Sequence, residues 1–175
     1  MKRSAFTLVE MMVSIAILSL MMLFLYKSYA QLNQDNEIFK TKSLQTQEEF
    51  LQKKTLFLDL TLATAKSITI LNQDKQSDIV FMQTSNSLYG RINPFVAYIK
   101  KDKKLFRLES LKRFKEYPLN SEDDFIGEMF ATVESFRLYS EDRDANATNA
   151  SSYLLHVTFE KDDTLLYKIQ LLNEE

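Results

Sequence analysis

The sequence predicts an α+β protein: a long N-terminal helix, its first half transmembrane, packed on an antiparallel β-sheet domain. Three observations point there. Phe6–Tyr26 is an almost uninterrupted apolar run. From Lys27 to Lys66 there is neither glycine nor proline, and helix-forming Gln, Leu, Lys and Glu dominate. Beyond Lys66 the apolar residues alternate with polar ones in short runs separated by polar turns, the period of half-buried strands.

The first run has the length of a bilayer. Phe6–Tyr26 holds 21 residues, and at about 1.5 Å of rise each they reach roughly 31 Å, against a hydrocarbon core of about 30 Å. Its one charge is Glu10, and a carboxylate at the centre of such a segment is disfavoured by roughly 2.5–3.5 kcal/mol, so it needs a reason. Upstream, Met1–Ala5 is a short leader in which Lys2 and Arg3 favour a cytoplasmic start, leaving the bulk of the chain on the other side. An ordinary secretory signal is the competing reading, with Ser28-Tyr29-Ala30 as a small-x-small cleavage site before Gln31. The apolar run is longer than such signals use, and Glu10 lies near its start.

The helix is expected to continue through residues 27–66. Leu44, Leu51, Leu58 and Ala65 recur every seven residues, and Phe50, Phe57 and Leu62 widen them into a stripe expected to pack on the sheet. Gln31–Glu37 is polar all round, as befits a stretch between membrane and domain. Residues 67–175 form the β-rich domain. Its expected strands are Ser67–Leu71, Ile79–Thr84, Phe95–Lys100, Leu105–Glu109, Ala131–Ser140, Tyr153–Glu160 and Thr164–Leu172. Lys100–Lys104 reads as a basic hairpin tip, solvated and protecting an edge. Leu111–Glu128, with Pro118, reads as an irregular loop or short helix.

Composition removes whole classes of function. The 175 residues carry a formal net charge of −2, without the basic excess of a general nucleic-acid binder. There is no cysteine, so neither disulfide nor thiolate metal site can form, and two glycines leave no phosphate-binding loop. The single histidine, His156, sits in a strand pattern opposite Val157 and Phe159, which suits a structural or exposed role. No nucleophile–base pair stands out, so no catalytic residue and no metal site is assigned. Glu122-Asp123-Asp124 matches no EF-hand spacing and reads as a solvated acidic loop.

Ser4-Ala5-Phe6-Thr7-Leu8-Val9-Glu10 resembles the processing site of type IV pilins and type II secretion pseudopilins. The resemblance covers about seven residues, joined to a basic leader and an unbroken apolar run. It implies cleavage between Ala5 and Phe6 by a prepilin peptidase and N-methylation of Phe6. It also makes Glu10 the fifth mature residue, the family's subunit-docking carboxylate. Ala5 stands where the family usually has glycine. Leu56-x-x-Asp59-Leu60-x-x-Ala63 resembles a segment of larger minor pilins and J-type pseudopilins. The implied protein has a pilin-like fold and is a minor subunit of a type II secretion pseudopilus or a type IV pilus, not an enzyme, with no cofactor. Its implied partners are the peptidase, other minor and major subunits, an inner-membrane assembly platform and, before assembly, membrane lipid. Its implied location is the inner membrane, single-pass, with the domain in the periplasm. In the Glu141–Ser152 loop, Asn146 heads an N-x-[ST] acceptor and Asp144 extends it toward the bacterial glycosylation pattern, while a polar loop matching by chance is the simpler reading.

Overall fold

The computed structural model describes residues 7–119, 124–140, 152–160 and 163–172. The architecture is α+β, as the alternation of periods predicts. Helix α1 runs from Leu8 to Thr61, and after a 3-10 turn at Ala65–Ser67 come seven strands: β1 (Thr69–Asn72), β2 (Asp78–Gln83), β3 (Phe95–Lys101), β4 (Lys104–Ser110), β5 (Phe125–Ser140), β6 (Ser152–Phe159) and β7 (Thr164–Gln170). They form one sheet in simple chain order, each strand antiparallel to the next.

The chain divides into two compact units, Met1–Glu49 and Phe50–Glu175. The described part of the first unit is helix alone. Its large apolar side chains, from Leu8 through Leu25 and again at Phe39 and Leu44, are exposed. Ser14 and Ser19 hydroxyls donate back to the carbonyls of Glu10 and Ile15, at 2.7 and 2.8 Å. No hydroxyl of this pair is left for lipid to solvate.

In the second unit the end of α1 lies on one face of the sheet. The buried stripe is Leu56, Asp59, Leu60 and Ala63, spaced i, i+3, i+4 and i+7. The expected heptad line does not hold, since Leu51 is exposed and Leu58 only half-buried. That line followed apolar residues only, whereas the true seam turns about Asp59. The helix also stops at Thr61, before the expected Lys66. There the backbone leaves helical bonding for the sheet: Ala63 bridges Thr84, Thr64 N–H donates to the Gln83 carbonyl, and the Leu62 carbonyl accepts Ser85 N–H.

Strand β5 holds the sheet together. Its first half pairs with β4 and its second with β6, with irregular register at Leu105/Phe106 and at Val133/Ser135. Only Ala131–Ser140 is legible as a strand; Phe125–Glu128 falls in the expected loop or short helix, and pairing with β4 recruits it. Gly127 lies opposite Leu108, and a Cβ there would overlap the Leu108 Cδ2 atom. Beyond the β3–β4 turn, β5 curls until Phe136 meets the start of β2. Ser77 and Phe136 form a parallel bridge, and Leu138 N–H donates to Asp78 Oδ2 at 3.0 Å.

The basic hairpin tip is more than a solvated turn. Asp102 and Lys103 have φ of 50° and 63°, the left-handed pair of a two-residue hairpin turn. The Lys103 carbonyl accepts Val133 N–H, while Lys100 and Lys103 ammoniums bond the Glu134 carbonyl and carboxylate. Two cores result. The helix-side core gathers Leu56, Leu60, Val80, Tyr98, Phe136, Leu155 and Val157. On the opposite face Ile79, Phe81, Ala97, Ile99 and Leu108 are covered by Phe114, whose ring stacks on Phe81 at 5.6 Å.

Candidate functional site

Two carboxylates in apolar surroundings carry the chemistry, and their geometries differ. Glu10 lies in the first turn of α1, behind Thr7. Thr7 N–H and Thr7 Oγ1–H donate to Glu10 Oε2 at 2.9 and 3.0 Å, and Glu10 N–H points back at Thr7 Oγ1 at 3.3 Å. This is a reciprocal capping box, in which Thr and Glu three residues apart satisfy each other's free backbone donors at a helix start. The carboxylate also sits where the helix dipole favours negative charge. The sequence carried the signal, Thr7-x-x-Glu10, and a reading of Glu10 as an amine partner alone passes over it.

Asp59 is wholly buried, as are Arg107 and Tyr98, while Asn86 reaches it from a half-buried position. Arg107 Nε donates to Oδ2 at 2.8 Å and Arg107 Nη2 to Oδ1 at 3.2 Å, a two-pronged pair. Tyr98 Oη–H and Asn86 Nδ2–H add donors at 2.6 Å each. Arg107 Nη1 then reaches Glu109 Oε2 at 2.8 Å. Glu109 in turn accepts from the Ser87 hydroxyl at 2.6 Å and from Leu88 N–H at 3.1 Å. One helix residue, three strand residues and the 84–94 loop thus share one cluster.

Electrostatics follow from this packing. Burial disfavours the Arg107 cation, yet Asp59, Tyr98 and Glu109 outweigh it and hold the guanidinium above its ordinary value. Burial first, then the Asp59 charge, pushes the Tyr98 phenol well up, so it stays a donor. For Glu109 burial works upward, but the bonds from Ser87, Arg107 and Leu88 prevail and leave its carboxyl below the usual range. Charges buried this way persist only when paired and fully hydrogen-bonded.

Residues 1–26 match the family model described as the prokaryotic N-terminal methylation motif. The chain therefore opens with a methylation motif. That motif takes in the basic leader, Glu10 with its capping box, and the apolar run, which from Leu8 onward lies in a helix long and apolar enough to cross a membrane. Among solved structures, the chain is similar to one chain of the crystal structure of the GspK-GspI-GspJ complex from the enterotoxigenic Escherichia coli Type 2 Secretion System. The identity is 13%, over 72% of this chain and 96% of that one, with a TM-score of 0.49. No curated protein matches the chain.

Within the methylation motif, Ala5 and Phe6 lie outside the described residues, as does Asn146 in the β5–β6 connection. Of the acidic run, Glu122 and Asp123 also lie outside them. Among the described residues no group of three His, Asp or Glu side chains is placed to hold a metal ion. His156 is half-exposed between Arg137 and Leu166 of the neighbouring strands. The Asp59 cluster is the feature that sequence reasoning missed. Leu56, Asp59, Leu60 and Ala63 of the J-type pattern are all buried, but nothing in local spacing announces that Arg107 and Glu109 would meet them.

Proposed function

We propose that this chain is a minor pseudopilin of a type II secretion pseudopilus, most like the J type. The observation that carries the reading is the methylation motif at residues 1–26, opening a helix that can cross a membrane. Before assembly the subunit is held in the inner membrane by Phe6–Tyr26, with its sheet domain in the periplasm. A prepilin peptidase cuts between Ala5 and Phe6 and the new amine is methylated. The subunit then leaves the lipid for a filament of other pseudopilins, driven by the inner-membrane assembly platform. Its role is structural and not enzymatic.

The Glu10 geometry supports a docking role. Among the described residues its donors are the N–H and hydroxyl of Thr7, three residues away, so no distant described element must move when the carboxylate turns to a new partner. In a filament that partner is the Phe6 amine of a neighbouring subunit, in surroundings where either charge left alone is costly. Asn146 is a glycosylation acceptor only where the host carries that machinery; an intact mass equal to the bare polypeptide there would remove it.

The test is made in a host expressing a prepilin peptidase and the companion subunits. Mass spectrometry of the mature chain should find N-methylated Phe6 as the first residue. Glu10→Leu should be inserted and cut as usual, yet enter filaments about tenfold less well, the loss of a charge contact of order 1.4 kcal/mol. A mature chain beginning at Gln31 or Met1, or undiminished incorporation of Glu10→Leu, overturns the reading.

A further inference from the structure

The two faces of the sheet are closed in different ways. On one, the end of α1 is tied down by the Asp59 bonds to Arg107 and Tyr98, and by Leu172 N–H donating to the Thr61 carbonyl. On the other, the cover is residues 111–119, which form no helix or strand. From Leu111 to Pro118 every side chain is exposed except Phe114, which is 7% exposed, and Leu119 is half-buried. The Phe114 ring lies 5.6 Å from Phe81 at an interplanar angle of 22°, and 6.5 Å from Phe125. Among the described residues the stretch makes one hydrogen bond to the sheet, from Lys112 N–H to Ser110 Oγ at 3.0 Å. That bond lies at its very start, so a single ring holds the rest.

The neck of this connection is fixed without Phe114. Ser110, the last residue of β4, pairs with Phe125, the first of β5, and the Ser110 hydroxyl donates to the Asp124 carbonyl at 2.8 Å. These contacts belong to the strands and stay whether the ring is in place or not. A surface loop whose ends are already together can lift and return without spreading the strands it joins. The charges of the stretch do not resist the movement either. Lys112, Arg113, Lys115 and Glu116 are exposed with the ring in place, so none has to enter or leave water when it moves. Beneath the ring lie Ile79, Phe81, Ala97, Ile99 and Leu108, all supplied by β2, β3 and β4.

We infer that residues 111–119 are a strap that opens and recloses as a unit, with Phe114 as its catch, over an aromatic slot between Phe81 and Phe125 on the sheet face away from α1. Opening gives up the burial of one ring and part of Leu119. It leaves the strand pairing, the Asp59 cluster and the helix-side core in place. Openings that release so little buried surface occur far more often than unfolding of the whole domain. Closed, the strap keeps the apolar face of β2 and β3 from water. Open, it uncovers a slot the size of one aromatic ring, and any aromatic group entering that slot must displace Phe114. The strap is thus a contact within the chain that competes for its own apolar face. The helix side has no counterpart, because α1 cannot lift there without stranding Asp59 and Arg107.

The chain has no cysteine, so one introduced thiol reports on one position. Ala97→Cys puts it beneath the strap and Ala131→Cys puts it in the helix-side core; both alanines are buried. Full-length chain in detergent micelles is exposed to a thiol reagent under native conditions. Ala97→Cys should be labelled at least about a hundredfold faster than Ala131→Cys. Its rate should barely respond to low urea, because strap opening exposes little surface, whereas that of Ala131→Cys should follow global unfolding. Adding Phe114→Ser should speed labelling at Ala97→Cys about tenfold further and leave the β-sheet circular dichroism signal in place. Lys115→Ser should change neither. The wild-type chain gives a second readout. Trypsin should cut after Lys112, Arg113 or Lys115 well before Lys101 and Lys104 of the β3–β4 turn, and the nicked protein should keep its sheet signal. Equal labelling rates at the two thiols, or no response to Phe114→Ser, overturn the inference. So does loss of the sheet signal with the first cut in the strap, or slower cutting there than at the turn. Should Ala97→Cys fail to fold, the trypsin result on the wild-type chain decides.

Discussion

Glu10 and Asp59 sit on the same helix, and each is a carboxylate among apolar residues. Among the described residues the partners of Glu10 come from Thr7, one turn away and in the open. The partners of Asp59 come from half-buried Asn86 and from buried Tyr98 and Arg107, between 27 and 48 residues away. A locally satisfied carboxylate can change partners without disturbing the fold. One satisfied by three distant elements can be released only by undoing the packing of all of them. Under the proposed function the difference separates an assembly contact from an architectural one, although charge and setting look alike in the sequence.

The largest effect should come from breaking the architectural side. Arg107→Met leaves Asp59 and Glu109 buried without their cation, and the sheet domain should lose about 3–5 kcal/mol. Thermal unfolding of the full chain in detergent, followed by the β-sheet circular dichroism signal, measures it. The triple variant Asp59→Leu, Arg107→Met, Glu109→Leu should recover part of that loss. It cannot recover all, because Asn86 and Leu88 N–H then lose their acceptors. A single Arg107→Met variant as stable as wild type would erase the contrast with Glu10.

Acidity should act on the same cluster. The folded carboxyl of Glu109 lies below its ordinary value of 4.5, so its bonds contribute stability that is fully present above about 4.5 and lost as pH falls through the folded value. The wild-type melting temperature should therefore decline below that point more steeply than that of Glu109→Gln, which starts lower at pH 7. Parallel acid limbs in the two proteins would show that the cluster does not couple to protons.

The smallest effect belongs to the local side. Thr7→Ala removes the capping box and should weaken the first turn of α1 by about 1 kcal/mol. Hydrogen exchange in micelles should speed up at the first helical amides, with the domain melt unmoved. A shift in the domain melt would mean that the two carboxylates are coupled after all.

Much of this molecule is local information. The methylation motif, the apolar run and the capping box of Thr7 and Glu10 are all written within 26 residues, because insertion, processing and helix capping act on neighbours in the chain. The strands were legible wherever one face is buried and the other wet, as in β6, where Tyr153, Leu155 and Val157 alternate with half-exposed His156. They were illegible at Phe125–Phe130, where pairing with β4 overrides a weak pattern. The helix seam was misread for a related reason: its centre is a carboxylate, and apolar periodicity discards charges.

Only the tertiary structure could decide that Asp59, Arg107 and Glu109 are internal. A buried charge is tolerable solely through partners that the fold delivers, and those partners are scattered from Asn86 to Glu109. The same holds for the curl of β5 onto β2 and for Phe114 as the cover of the second core. The sequence by itself determined the methylation motif and an apolar run long enough to cross a membrane. Three-dimensional packing decided which charges are structural, and which apolar residues, such as Ile92, were left facing outward.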